Sequence, residues 1–112
     1  MQWLIIARDG NDQDAPKRRL AARPAHLENA AKLQTAGHLL IGGALIDDDG
    51  AMIGTAAIAQ FATRAELDEW LQTDPYVTGN VWQDIEVHPY RVAPHYDIPA
   101  CPEPHDHSGD AP

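Results

Sequence analysis

The run Trp3-Leu4-Ile5-Ile6-Ala7 is apolar at five successive positions and stops at Asp9-Gly10-Asn11-Asp12. It is too short for a helix, so it reads as a strand followed by a turn-rich loop. A half-exposed strand alternates apolar and polar residues; one that does not alternate needs both faces covered. Met52 to Phe61 has the same character, with Gly54, Ala56, Ala57 and Ala59 giving it the low bulk of a tightly packed strand. Two strands that demand burial on both sides exclude an isolated hairpin or a helical bundle. They call for a sheet sandwiched between other layers.

The layers can be read in order. From Ala15 to Ala36 the pattern is helical. Pro16 suits a first helical turn and Pro24 breaks continuity, which predicts a short helix and then a longer one beginning near Pro24. Gly37 is a C-cap candidate. His38 to Ile46 is a second strand, in which Gly42 and Gly43 suggest a bulge or a close approach of backbone to a ligand. Asp47-Asp48-Asp49-Gly50 has hairpin-turn chemistry. Thr63-Arg64-Ala65-Glu66 is a capping box, and the helix it opens carries the stripe Leu67, Trp70, Leu71. Asp74-Pro75 starts a further short helical turn. Val81 to Val92 is the last strand.

The order is therefore β-α-β-β-α-β. Right-handed crossovers place both helices on one face of a four-stranded antiparallel sheet, the ferredoxin-like α+β arrangement. Two helices cover one face only. The other is expected to pair with a second copy, because an apolar patch the size of a sheet is unusual on a monomer. Residues 1–92 form the expected domain. After Ala93, five prolines interleave with acidic residues, His and Gly, and this 93–112 tail is expected to be disordered.

Seventeen Asp and Glu against eight Lys and Arg give a formal net charge of −9. Nucleic-acid phosphates and anionic membrane surfaces would be repelled, so neither is an expected partner. The lone Cys101 excludes an internal disulfide. The first residues carry no basic stretch and no span-length apolar segment, so a soluble cytoplasmic protein is expected. Cys101 with His105-Asp106-His107 superficially resembles a metal cluster, but its proline-rich setting offers no preorganised geometry. No metal and no cofactor are expected; there is no P-loop, GxGxxG, nucleophile elbow or CxxC pair.

Chemistry is concentrated in two segments. Arg23-Pro24-Ala25-His26-Leu27 carries an imidazole, and Asp74-Pro75-Tyr76 carries a carboxylate at a cap. At about 100° per residue, Leu27, Ala30, Ala31 and Leu33 mark an inward arc that includes His26, while Glu28, Lys32 and Thr35 point away. His26 is then either a general base or a core histidine bonded to a backbone carbonyl. Asp74 is either the carboxylate that fixes its tautomer or an ordinary N-cap. Arg8 ends the first strand, and Arg19 and Arg23 lie near a helix start, where an anionic substrate group could bind. Lys17, Arg18 and Arg19 also suit a solvated helix face. Gly43 and Tyr76 are candidates to line a pocket, with Tyr76 alternatively packing on Trp70 or Trp82.

In the segments Trp3 to Arg8, Lys17-Arg18-Arg19-Leu20, Arg23 to Leu27, Gly37 to Gly43 and Asp74-Pro75-Tyr76-Val77, the chain resembles the YciI-like family, the YCII-related domain proteins. The resemblance covers about residues 1–92. It implies a ferredoxin-like fold that forms a dimeric α/β barrel, and a pocket uniting a histidine and an aspartate, here His26 and Asp74. One branch of the family resembles a dehydrochlorinase acting on a chlorinated hydroxyquinol with such a pair. The expectation is a small cofactor-free lyase or isomerase with a small aromatic or anionic substrate; a non-catalytic binding or regulatory module is the alternative. The tail from Ala93 departs from the family pattern.

Overall fold

The computed structural model describes residues 1–104. Its elements run β1 (Gln2–Asp9), α1 (Ala15–Thr35), β2 (Leu39–Ile46), β3 (Met52–Gln60), α2 (Arg64–Thr73), α3 (Pro75–Thr78) and β4 (Trp82–Tyr90). The strands form one antiparallel sheet in the order β2-β3-β1-β4. This is the ferredoxin-like α+β architecture expected from the pattern.

Strand alternation sorts the side chains. Trp3, Ile5 and Ala7 of β1 are buried, together with Ala57 and Ala59 of β3, which lie opposite Ile5 and Trp3. Leu67, Trp70 and Leu71 of α2 close over this face, with Ala22 and Leu33 of α1 packed beside them. Leu67 is fully buried; truncating such a side chain costs about 2–5 kcal/mol. Leu4, Ile6 and Arg8 point to the opposite, open face, paired with Ile58, Ala56 and Gly54 of β3.

Local signals behave as their chemistry requires. Thr63 accepts a hydrogen bond from the Glu66 amide at 3.2 Å, as a helix cap does. Gly37, at φ +88°, ends α1. Its N–H bonds Gln34 O and the His38 N–H bonds Leu33 O, the paired closure that a left-handed glycine permits. Asp47 Oδ1 accepts from the amides of Asp49 and Ala51 and holds the β2–β3 turn.

Two expectations are corrected. Pro24 does not divide the helix: α1 is continuous, with Pro24 inside it. The carbonyl that loses its partner belongs to Leu20, which is 65% exposed, so water can serve it. The β2 irregularities fall at Leu39/Ile41 and Leu45/Ile46, not at Gly42-Gly43, which stay in register with Ala57 and Ala56. Among the described residues beyond β4 there is no helix or strand, and Val92 and Pro99 are bonded to the domain. The buried Gln60 donates to the carbonyls of both Gly37 and Pro99, each at 2.9 Å, and Gln2 accepts from the Val92 amide. The His105–His107 cluster lies outside the described residues.

Candidate active site

A cavity of about 680 Å³ opens between α1 and the β2–β3 half of the sheet. Small residues on the helix-facing side of the strands (Gly42, Ala44, Ala57) line it, and Trp70, Tyr76 and Trp82 contribute aromatic surface. His26, Arg19 and Arg23 reach it from α1.

Along α1, Ala15, Arg19, Ala22, His26, Ala30 and Leu33 recur at helical spacing as buried or half-buried positions, flanked by half-buried Arg18 and Asn29. The arc expected from apolar residues alone is thus rotated. Leu27, at 46% exposure, and Ala31 border the cavity and are not packed. His26 keeps its predicted inward position. Its Nδ1 lies 2.8 Å from Asp74 Oδ1, forty-eight residues along the chain. Asp74 is 1% exposed. Its Oδ1 also accepts from the Tyr76 amide at 2.8 Å, and its Oδ2 accepts from Trp70 Nε1 at 3.0 Å. Asp74 is indeed the N-cap of α3, and it binds the histidine as well.

Two fixed donors, the Tyr76 amide and Trp70 Nε1, already engage both oxygens of Asp74 as acceptors, and the tautomer of His26 is assigned to match. An ionised carboxylate only accepts, so the Asp74-facing nitrogen of His26 carries the hydrogen. In the neutral ring Nε2 is then the basic nitrogen, and it has no partner among the described residues. The Tyr76 ring stacks on the imidazole with centroids 3.8 Å apart and planes 15° apart, and meets Trp82 edge-on at 5.5 Å. Of the two packing partners foreseen for Tyr76, Trp82 makes a ring contact with it. Burial pushes the Tyr76 phenol above its usual value, against the pull of the Arg19 and Arg23 charges.

The arginines separate. Arg19 is 4% exposed, far from a solvated face. Its Nη1 contacts both Asp9 carboxylate oxygens at 3.0 Å, its Nη2 reaches Thr55 Oγ1, and its guanidinium lies 4.7 Å from the Tyr76 ring centroid. Its charge is matched by Asp9, which makes it a clamp on Tyr76. Arg23 is exposed, lines the cavity and has no ion-pair partner among the described residues. With α1 continuous through Pro24, no helix N-terminus is there to help it bind an anion. Arg8 does not join the site: alternation turns it to the open face, where it pairs with Glu86. Gly43 borders the cavity, and a Cβ there would meet no neighbour within 4 Å.

Asp9, Thr55, Trp70 and Trp82 complete the surroundings of His26 and Tyr76, and sequence reasoning gave none of them a polar role in the site. One signal was available for Thr55, a hydroxyl facing the helices among alanines on β3. The partners of Asp9 and Trp82 lie too far along the chain for any local signal.

Fold and site together define a ferredoxin-like α+β domain with a histidine–aspartate pair on the wall of a largely apolar cavity. The YCII-related domain model matches residues 1–91, and the chain belongs to that family. It is 33% identical over 97 residues to protein YciI of Escherichia coli, covering 81% of this chain and 97% of the relative. It is 35% identical over 100 residues to an uncharacterised protein of Haemophilus influenzae, with the same coverage. Among solved structures it is similar to the 5-chloro-2-hydroxyhydroquinone dehydrochlorinase of Burkholderia phenoliruptrix AC1100, in complex with 2,5-dihydroxybenzoquinone. That likeness has a TM-score of 0.72 at 22% identity and covers 87% of this chain and 100% of the other; it shows the shared fold. Among the described residues, no helix is long and apolar enough to cross a membrane.

Proposed function

We propose that this protein is a small lyase or isomerase, dehydrochlorinase-like, in which His26 is the general base and Asp74 its positioning partner. The observation that carries the reading is the 2.8 Å His26–Asp74 bond on a cavity wall, with Asp74 buried. His26 Nε2 takes a proton from a substrate hydroxyl or acidic carbon. The electron pair left behind moves into the substrate's unsaturated frame and, in an elimination, a leaving group departs from it with its bonding pair. Asp74 holds Nδ1–H and balances the charge that the ring gains. The chemistry needs no cofactor because the base is a side chain. The cavity suits a small aromatic or anionic molecule, with Arg23 at hand for an anionic group.

The test begins with a thermal-shift screen of small phenolic and keto acids, followed by turnover assays on each hit. His26→Ala is expected to abolish turnover while its urea melt stays cooperative. A variant with full activity would remove His26 as the base. Binding without product in the unmodified protein would instead make the chain a binding module using the same cavity.

The open face is proposed to pair with a second copy. Leu4, Ile6, Ile41 and Ile58 lie on it by alternation, and Ile41 is 65% exposed. Light scattering reads the assembly directly, and a monomer at micromolar concentration would end this part of the proposal.

A further inference from the structure

Thr55 stands on the helix-facing side of β3, beside Ala7 of β1 and Ala44 of β2, and is 7% exposed. Its Oγ1 is bonded twice, to Arg19 Nη2 at 3.3 Å and to Trp82 Nε1 at 3.1 Å. Guanidinium and indole nitrogens donate and never accept, so Thr55 is the acceptor in both bonds. A hydroxyl oxygen has two lone pairs and one proton. Both lone pairs are engaged, and the proton has no acceptor among the described residues. Thr55 lines the same cavity as His26.

A buried hydroxyl proton in that position is offered to whatever fills the cavity, because leaving it unpaired after ligand binding would carry the full desolvation penalty. We infer that Thr55 is the site's donor to a ligand oxygen, and that the ligand is a small unsaturated ring or enol carrying a carbonyl or delocalised oxyanion besides the hydroxyl that His26 addresses. The inference rests on the cavity being the ligand site proposed above. The other polar groups sharpen the class. Arg19, although buried, is neutralised by Asp9, and the unpaired cation Arg23 is exposed. The polar groups that line the sheltered part of the cavity are therefore a neutral donor, Thr55, an acceptor, His26 Nε2, and Arg19, whose Nε–H is buried without a partner but whose charge Asp9 already balances. That set suits a hydroxyl together with a quinone-type or enolate oxygen better than a localised dianion such as phosphate, which would demand free positive charge there.

The test compares the unmodified protein with Thr55→Ser and Thr55→Val. Two probes are titrated, 2,5-dihydroxybenzoquinone and toluene, the second an oxygen-free ring. Thr55→Ser should keep the dissociation constant for the quinone within about twofold, while Thr55→Val should weaken it about ten- to a hundredfold, the range of a hydrogen bond to a charged acceptor. Toluene should bind all three proteins alike. Equal quinone binding by Thr55→Val, or equal loss of both probes, would overturn the donor role in favour of none or of packing alone. Urea melts establish that Thr55→Val, which strips an acceptor from Arg19 and Trp82, is folded; if it is not, the crystallographic test below decides the donor role. Should the unmodified protein bind neither probe, the ligand-site reading fails separately. The donor is then judged by a high-resolution crystal structure of the free protein. A water within about 3 Å of Oγ1 on the cavity side supports it, and a hydroxyl with no acceptor there overturns it.

Discussion

Replacing Asp74 by Asn keeps the size of the side chain and removes its charge, so it isolates what the carboxylate does. The three hydrogen bonds to Asp74 decide the outcome. An amide has one oxygen. Placed at the Oδ1 position it still accepts from His26 Nδ1 and the Tyr76 amide, but its NH₂ then faces Trp70 Nε1–H, donor against donor. Turned over, it serves Trp70 and fails both others. The first orientation forfeits less and should be adopted. One bond to a charged acceptor is lost and a buried indole N–H is left unpaired, together about 3 kcal/mol. A domain this size has about 5–15 kcal/mol in total, and the loss should lower the melting temperature by about 12 °C or more. Urea denaturation followed by tryptophan fluorescence, at one fixed protein concentration, measures the change. Nitrogen-15 shifts of the His26 ring should meanwhile show the hydrogen still on Nδ1, because the Tyr76 amide pins the acceptor opposite it. Asp74→Asn would then lose turnover through loss of the balancing charge, with the tautomer intact. A stability change below about 0.5 kcal/mol would refute the bonding scheme and with it the positioning role of Asp74.

Two further outcomes follow from the same structure. Because burial raises the Tyr76 phenol above the usual value near 10, the folded chain holds this proton longer than the unfolded chain. The contribution is fully present below about pH 10 and is lost as pH rises through the folded value. Melting temperatures from pH 8 to 11 should fall less steeply for Tyr76→Phe, and parallel curves would contradict the shift. Ile41→Glu adds a charge to an exposed position of the open face, so it should leave the urea midpoint of the isolated domain nearly unchanged while shifting light scattering to the monomer. An unaffected dimer would place the interface elsewhere.

Pro24 and Arg19 show where local reading ends. Proline's missing N–H is a local fact, but its consequence is not. The packed stripe Ala15, Arg19, Ala22, His26 on one side, and the solvent exposure of Leu20 on the other, carry α1 through it. Arg19 sits in a basic run that looks solvated, yet helical spacing puts it on that stripe, where Asp9 and Thr55 make its burial tolerable. Arg8 could be assigned to the face opposite Ile5 and Ala7 from alternation alone; that the helices cover the Ile5 side is a tertiary outcome.

Strand and helix order, the Thr63 and Asp74 caps, the Gly37 stop and the Asp47 turn were legible because dihedral preference, capping and apolar period act within a few residues. The candidate chemical groups were legible as residue types. Their meeting was not. His26 with Asp74, Trp70 with Asp74, and Thr55 between Arg19 and Trp82 exist only because burying one shared apolar face draws distant segments together. In that buried space a polar group without a partner costs stability, and this pressure to pair, which no local stretch of chain contains, shaped the geometry of the site.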